Sequence, residues 1–217
     1  MEQPVNYPLI NNNTWKQAWL NTEFRTKSIG AVILFISLVL YMPHFFSIIE
    51  TRQGLLLNDW LLPYIPAYDF SIIIFLLVWS TSLLILVRSI QQPSIFLATI
   101  YLLILVNVVR MSCIWLIALD PPPGIIHLKD PLTSLTYGGT EIFITKDLFF
   151  SGHTSNLFMF YLCLQKKRDK QFALLATITV AALLLVQHVH YTIDIIMAIL
   201  FTYLMVKFIK RFSFLNI

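Results

Sequence analysis

Two short stretches of the chain combine residue types that do nucleophilic and acid–base chemistry. Residues 150–158 read FSGHTSNLF and residues 188–198 read HVHYTIDIIMA. Together they set His153, His188, His190 and Asp194 in or beside long apolar runs. A charged side chain at a bilayer centre costs at least ~2.5–3.5 kcal/mol, so polar groups kept there call for a functional reason. His190 and Asp194 are four apart, which on a helix puts them on one face within hydrogen-bond reach. An aspartate that accepts the N–H of one ring nitrogen fixes the tautomer and leaves the other nitrogen as a base or nucleophile. In SGHT, Ser151 is a good N-cap and Gly152 permits close backbone approach to a ligand. The free N–H groups of a helix start attract phosphate, and His153 falls in that first turn. Two histidines on one phosphate suit phosphoryl transfer: one attacks phosphorus and the other protonates the leaving oxygen. That scheme calls for no metal and no other cofactor.

Plainer readings compete with each piece. A lone histidine at a helix end is commonly structural, and HxxxD is a frequent helical pair. A zinc site built from His153, His188, His190 and Asp194 has suitable ligand types, but the preceding Ser-Gly favours an anion over a cation. HExxH and cysteine-based zinc spacings are absent. The candidate outer-face acids, Glu50, Asp59, Asp69, Asp120, Asp130, Glu141, Asp147 and Asp194, are scattered rather than clustered as in a two-metal phosphoesterase. Arg110, inside an apolar run, reads either as a snorkelling side chain or as a phosphate contact. Lys146 reads as a solvated charge, Glu141 and Asp130 as ordinary loop acids, and His44 and His127 lack a partner pattern.

The elements that must position these groups are membrane helices. Of 217 residues 58% are hydrophobic and 12% charged, with a mean hydropathy of +0.75. Soluble domains carry about 25% charged residues, so the class is an integral membrane protein. Six apolar runs, at 28–49, 70–90, 94–119, 148–165, 171–189 and 191–209, predict an all-α bundle of six transmembrane helices, with the fourth run the shortest. Strand-type alternation is absent, which argues against a β-barrel. Residues 1–27 are expected as a cytoplasmic or interfacial segment carrying Trp15 and Trp19, without the pattern of a cleavable signal peptide, and 28–217 as the catalytic membrane domain. The net charge of +4 and pI of about 9.1 do not imply nucleic acid, because the basic residues sit at the ends of apolar runs.

Eleven Lys and Arg residues (Lys16, Arg25, Lys27, Arg88, Lys166, Lys167, Arg168, Lys170, Lys207, Lys210 and Arg211) fall on the side of the N-terminus. Only Arg52, Lys129 and Lys146 fall on the other. The positive-inside rule then predicts cytoplasmic termini, with SGHT and HYTID opening on the outer or lumenal face. The connection at 120–147, with DPPPG and a Gly138-Gly139 turn, is long enough to be a lid or wall. Cys113 and Cys163, each within an apolar run, read as core residues without a disulfide or metal pattern.

LFFSGHT and HVHYTIDIIMA resemble two signature motifs of the sphingomyelin synthase family, a branch of the type 2 phosphatidic acid phosphatase superfamily. RMSCIWLIALDPPPG resembles the family segment in which an arginine precedes a proline-rich turn. The resemblance covers about residues 100–205. It implies a six-helix membrane fold, an outer-facing site and a phosphohistidine intermediate. By that analogy His190 is the nucleophile, Asp194 its orienter and His153 the acid/base. Asp147 stands where synthase-like members tend to carry an acid. Arg110, Ser151, Gly152, Thr154, Asp147 and His188 are the expected substrate- or phosphate-binding residues. The Lys-x6-Arg-Pro motif of the general phosphatases, and their arginine before the second histidine, are absent, which favours the synthase branch.

Three functions of different class follow. One is a phosphotransferase carrying a phospho-headgroup from a phospholipid donor to a lipid alcohol such as ceramide or diacylglycerol. Another is a hydrolase with water as acceptor. The third is a non-enzymatic transporter, which would show discontinuous helices and internal symmetry; the sequence has no such repeat. Membrane lipids are the expected surroundings and nucleic acid is not an expected partner.

Overall fold

Helices begin where capping residues interrupt the apolar runs. Asn21 accepts the N–H groups of Glu23 (2.9 Å) and Phe24 (3.3 Å), satisfying first-turn donors. Pro93 opens a helix at a position where a missing N–H costs nothing, and the residue before it, Gln92, is held extended. The computed structural model describes residues 14–129 and 144–211. Within them the helices are α1 (Trp15–Leu20), α2 (Thr22–Glu50), α3 (Ser71–Gln91), α4 (Pro93–Leu116), α5 (Gly152–Cys163), α6 (Lys167–Val186) and α7 (Thr192–Arg211), with a 3₁₀ turn at Leu62–Tyr64. Apart from one isolated bridge, Leu55 with Leu119, the described residues contain no strand. The expectations placed on Asp130, Gly138-Gly139 and Glu141, and on residues 1–13, lie outside the described residues.

Five helices, α2, α3, α4, α6 and α7, are long and apolar enough to cross a membrane. The sixth expected span, 148–165, is different. Residues 144–151 run in without helix, and α5 has 12 residues. At 1.5 Å per residue that is ~18 Å, short of the ~30 Å hydrocarbon core. The reason is local: Phe149 takes a left-handed backbone (φ 49°), and its N–H and that of Ser151 are tied to Asp194, so the helix does not extend back through the arm.

The short helix is nevertheless the centre of the bundle. It packs against α3, α4, α6 and α7, and Val106, Phe150, Met159, Leu164, Ala173, Ala198 and Met205 close the core around it. α2 lies along α4, and its Ile33, Leu34 and Leu40 stay exposed, as do Leu76 and Leu83 of α3. Apolar faces of this kind suit lipid.

Contacts assign the helix ends to two layers. At one end Arg88 of α3 forks onto Asp169 of α6 (2.5 and 3.2 Å), and the Trp15 indole of α1 donates to the carbonyl of Ile90 (2.7 Å). This end holds the eleven basic residues counted above. At the other end the α2–α3 connection meets the chain leaving α4: Leu55 N–H donates to Ala118 O (3.0 Å) and Asp120 N–H to Leu55 O (3.1 Å). Gly54 permits this crossing. A β-carbon there would lie 2.6 Å from Asp120 N and 2.7 Å from Leu119 O.

Candidate active site

The α6–α7 turn, residues 187–191, is tied down at almost every position. Gln187 is fully buried. Its side-chain amide donates to Ser71 Oγ (2.9 Å) and Ile126 O (3.2 Å), and its oxygen accepts Phe70 N–H (3.0 Å). Tyr191, also fully buried, donates its hydroxyl to Asp120 O (2.9 Å) and accepts Leu57 N–H (3.3 Å). Burial pushes this phenol's pKa up, the Leu57 N–H opposing, so it remains a neutral donor. Two loops thus clamp the turn that carries His190.

His190 Nδ1 lies 3.2 Å from Asp194 Oδ2, and both side chains are buried. A carboxylate only accepts, so the bond places the proton on Nδ1 and leaves Nε2 with its lone pair. Asp194 also accepts the N–H of Tyr191 (3.1 Å) and of Phe149 (3.2 Å), while its carbonyl accepts Ser151 N–H (3.2 Å). Three N–H donors on one dry carboxylate offset its desolvation. The pair does not share a helical face as the spacing predicted. α7 starts at Thr192, so His190 sits in the turn before it and Asp194 reaches back from the first turn.

Through Phe149 and Ser151 the same aspartate holds the entry to α5. Ser151 Oγ accepts Thr154 N–H (3.4 Å), as its N-cap reading requires. Gly152 faces protein rather than open space. A β-carbon there would sit 2.7 Å from Cζ, 2.8 Å from Nη2 and 3.0 Å from Nε of Arg110. The Arg110 guanidinium is buried under the start of α5, six residues from the end of α4. At 1.5 Å per residue this recesses the site by ~9 Å. Arg110 pairs with Asp147, donates from Nη1 to Asn107 Oδ1 (3.3 Å) and stands over the Phe46 ring at 5.9 Å. Among the described residues Arg110 Nε, Asp147 Oδ1 and Thr154 Oγ1 are buried without hydrogen-bond partners. His153, in the same first turn, is partly exposed and meets Phe75 edge-on at 5.9 Å.

His188 is the expected binding residue that the fold places elsewhere. Its ring nitrogens lie 3.1 Å from Pro123 O and 2.9 Å from Ile65 O. Its backbone is left-handed (φ 55°), and Gly124 (φ 77°) turns beneath its ring. His188 thereby ties together the loops that carry Ile65 and Pro123. Lys146, read as solvated, is paired with Asp120 (2.9 Å). That contact draws the Asp120 carboxyl below the ordinary range, with burial opposing. Glu50 at the end of α2 accepts the N–H groups of Thr145 and Lys146 (both 2.7 Å), which fixes the arm leading to Asp147.

Of the two helix N-termini here, that of α7 is already supplied with carboxylates, Asp194 on Tyr191 N–H and Asp59 on Thr192 N–H (2.6 Å). That of α5 has an arginine beside it. Of the two, the α5 start is the one whose neighbouring side chain carries positive charge. Asn107, Gln187, Tyr191 and Asp59 carried no assigned role in the sequence reading. Asn107 alone had a legible signal, three residues before Arg110 on one helix face.

A family model described as PAP2 superfamily C-terminal matches residues 146–211. The match spans Asp147, the SGHT turn and the HYTID turn, and it supports the superfamily to which those motifs pointed. It does not reach Arg110 or the α2–α3 connection. No curated protein matches the chain.

Proposed function

We propose that this chain is a membrane phosphotransferase that moves a phospho-headgroup from a phospholipid to a lipid alcohol, ceramide or diacylglycerol, through a phosphohistidine. The observation that carries the reading is the buried His190–Asp194 pair, with Nδ1 turned onto the carboxylate. The PAP2 superfamily match, which fits lipid phosphatases and phosphotransferases, supports it.

Nε2 of His190 attacks the phosphorus of the phosphodiester. The N–P bond forms as the bond from phosphorus to the donor lipid's own alcohol oxygen breaks, and His153 gives that oxygen a proton. Asp194 stabilises the ring cation that develops. The phosphoryl oxygens lie against the start of α5, where the Arg110 Nε–H, the Thr154 O–H and the helix dipole offer positive ends. In the second half His153 takes the proton of the incoming hydroxyl, whose oxygen attacks phosphorus and expels His190. The net reaction exchanges one lipid alcohol for another on the phospho-headgroup.

In this reading α5 and the arm at 144–151 together complete a sixth crossing. The basic end is cytoplasmic and the site opens on the outer or lumenal face. The test is turnover of phospholipid labelled in its headgroup phosphate, with and without ceramide or diacylglycerol. Label should pass to the added lipid, with acid-labile phosphate trapped on the protein. Release to water alone, at a rate indifferent to added lipid, would instead identify a hydrolase.

A further inference from the structure

We infer that Asp59, in the connection between α2 and α3, is a positioning residue for His190, acting through Thr192; the inference rests on the phosphohistidine reading above. Asp59 Oδ2 accepts Thr192 N–H at 2.6 Å, and Oδ1 accepts the Thr192 hydroxyl at 2.9 Å. The partners are 133 residues apart in sequence. The first N–H groups of a helix have no acceptor within it, and a side chain just ahead of the helix usually serves. Ahead of α7 stands Tyr191, whose hydroxyl is spent on Asp120 O, so the cap comes from a distant loop. Two carboxylates thus divide the task. Asp194 orients the ring of His190, and Asp59 fixes the backbone two residues away.

The loop that supplies the cap is itself rigid. Asp59 Oδ1 accepts Leu61 N–H (2.8 Å) and Leu62 N–H (3.1 Å), an aspartate-centred turn. Leu62 is buried in a cluster with Leu119, Leu148 and Tyr191. Burial works against ionisation of Asp59, but the Leu61, Thr192 and Leu62 N–H groups and the Thr192 hydroxyl outweigh it, and the carboxyl is held below the ordinary range. Removing the cap frees the first turn of α7 to shift, and Nε2 of His190 leaves its line to phosphorus. A misplacement of ~1 Å costs on the order of 100-fold in rate.

The experiment compares Asp59→Ala, Asp59→Asn, Thr192→Val and the Asp59→Ala/Thr192→Val double variant, in full-length protein, by kcat, KM for phospholipid and Tm. Asp59→Ala should lower kcat about 10–100-fold with little change in KM. Asp59→Asn keeps one accepting oxygen but turns an N–H₂ toward either the Thr192 N–H or the Leu61 and Leu62 N–H groups, so it should recover only part of the loss. Thr192→Val loses only the hydroxyl bond and should show a smaller loss, and the double variant should be no worse than Asp59→Ala. A fall in Tm with unchanged kcat, or fully additive losses, would make Asp59 merely structural and overturn the inference. Should Asp59→Ala not fold, Thr192→Val decides, and wild-type kcat there overturns it. His190→Ala separates the two claims. An active His190→Ala enzyme defeats the phosphohistidine reading, whereas an inactive one alongside a fully active Asp59→Ala defeats only the role of Asp59.

Discussion

The α-carbon of Gly152 rests on the guanidinium of Arg110, so closely that a β-carbon would fall 2.7 Å from Cζ. The glycine that the sequence offered to a ligand is first required by an arginine. Arg110 cannot retreat easily, since Asp147, Asn107 and the Phe46 ring hold it from other sides.

Gly152→Ala should therefore displace the guanidinium and lower kcat by on the order of 100-fold, while the helices stay folded. Arg110→Lys keeps the charge but loses the planar fork, and should lose activity comparably. Headgroup-transfer kinetics on both variants, with Tm as a control, decide this. Near-normal turnover in Gly152→Ala would mean that Arg110 takes no part in the chemistry.

His190→Ala should abolish turnover and the trapped phosphate. Asp194→Asn should reduce turnover by about 10⁴-fold, by analogy with the loss of the orienting aspartate in hydrolase triads. Asparagine also turns an N–H₂ toward the N–H of either Phe149 or Tyr191, so its Tm should fall. Phosphoprotein still accumulating in His190→Ala would transfer the nucleophile's role to another residue.

Gly54→Ala tests the loop layer without touching the site. The obstructing atoms at 2.6 and 2.7 Å are backbone, which cannot rotate away as a side chain would. Destabilisation of about 1–3 kcal/mol is expected, read as a lower Tm in detergent. An unchanged Tm would show that the Leu55–Leu119 bridge contributes little to holding the turn at His190.

Loop carboxylates should make the fold acid-sensitive. Asp120 is held low by Lys146 and Asp69 by the Ser71 N–H and hydroxyl, in each case against burial. A native value below the unfolded ~3.9 contributes stability at neutral pH that disappears as pH falls through the native value. Asp120→Asn should thus have a lower Tm than wild type near neutrality and converge on it in strong acid. A Tm difference that is constant across that range would remove this linkage.

The side-chain pairing of His190 with Asp194 was more legible than the backbone that holds it. HxxxD announced the His190–Asp194 bond, because four residues bring those side chains together in a helix and also across a helix start. The start itself was hidden: Gln187, tied to Ser71 and Ile126, ends α6 early, and His188 takes a left-handed backbone. The run at 148–165 looked continuous in hydropathy, yet Phe149 and Ser151 spend their N–H groups on Asp194 and delay α5. The Arg110–Asp147 pair and the Asp59–Thr192 cap join distant segments, and no local periodicity encodes such partners. The basic residues were informative because each reports its own helix end, without any knowledge of packing.

The last prediction concerns metal. Asp194 spends both oxygens on N–H donors, and His190 spends Nδ1 on Asp194. A carboxylate so engaged would have to surrender those donors before it could ligate a cation. Asp147 is turned onto Arg110, which places positive charge where a cation would otherwise stand. In the phosphohistidine reading proposed above, the positive ends that a phosphoryl group needs would come from Arg110, Thr154 and the α5 terminus, and the nucleophile would be a ring nitrogen rather than an activated water. Turnover should therefore persist in EDTA, with acid-labile phosphate still trapped on the protein. Activity that vanishes with the chelator and returns with Zn²⁺ or Mg²⁺ would replace the phosphohistidine route with a metal-assisted one, even with every helix where it is described.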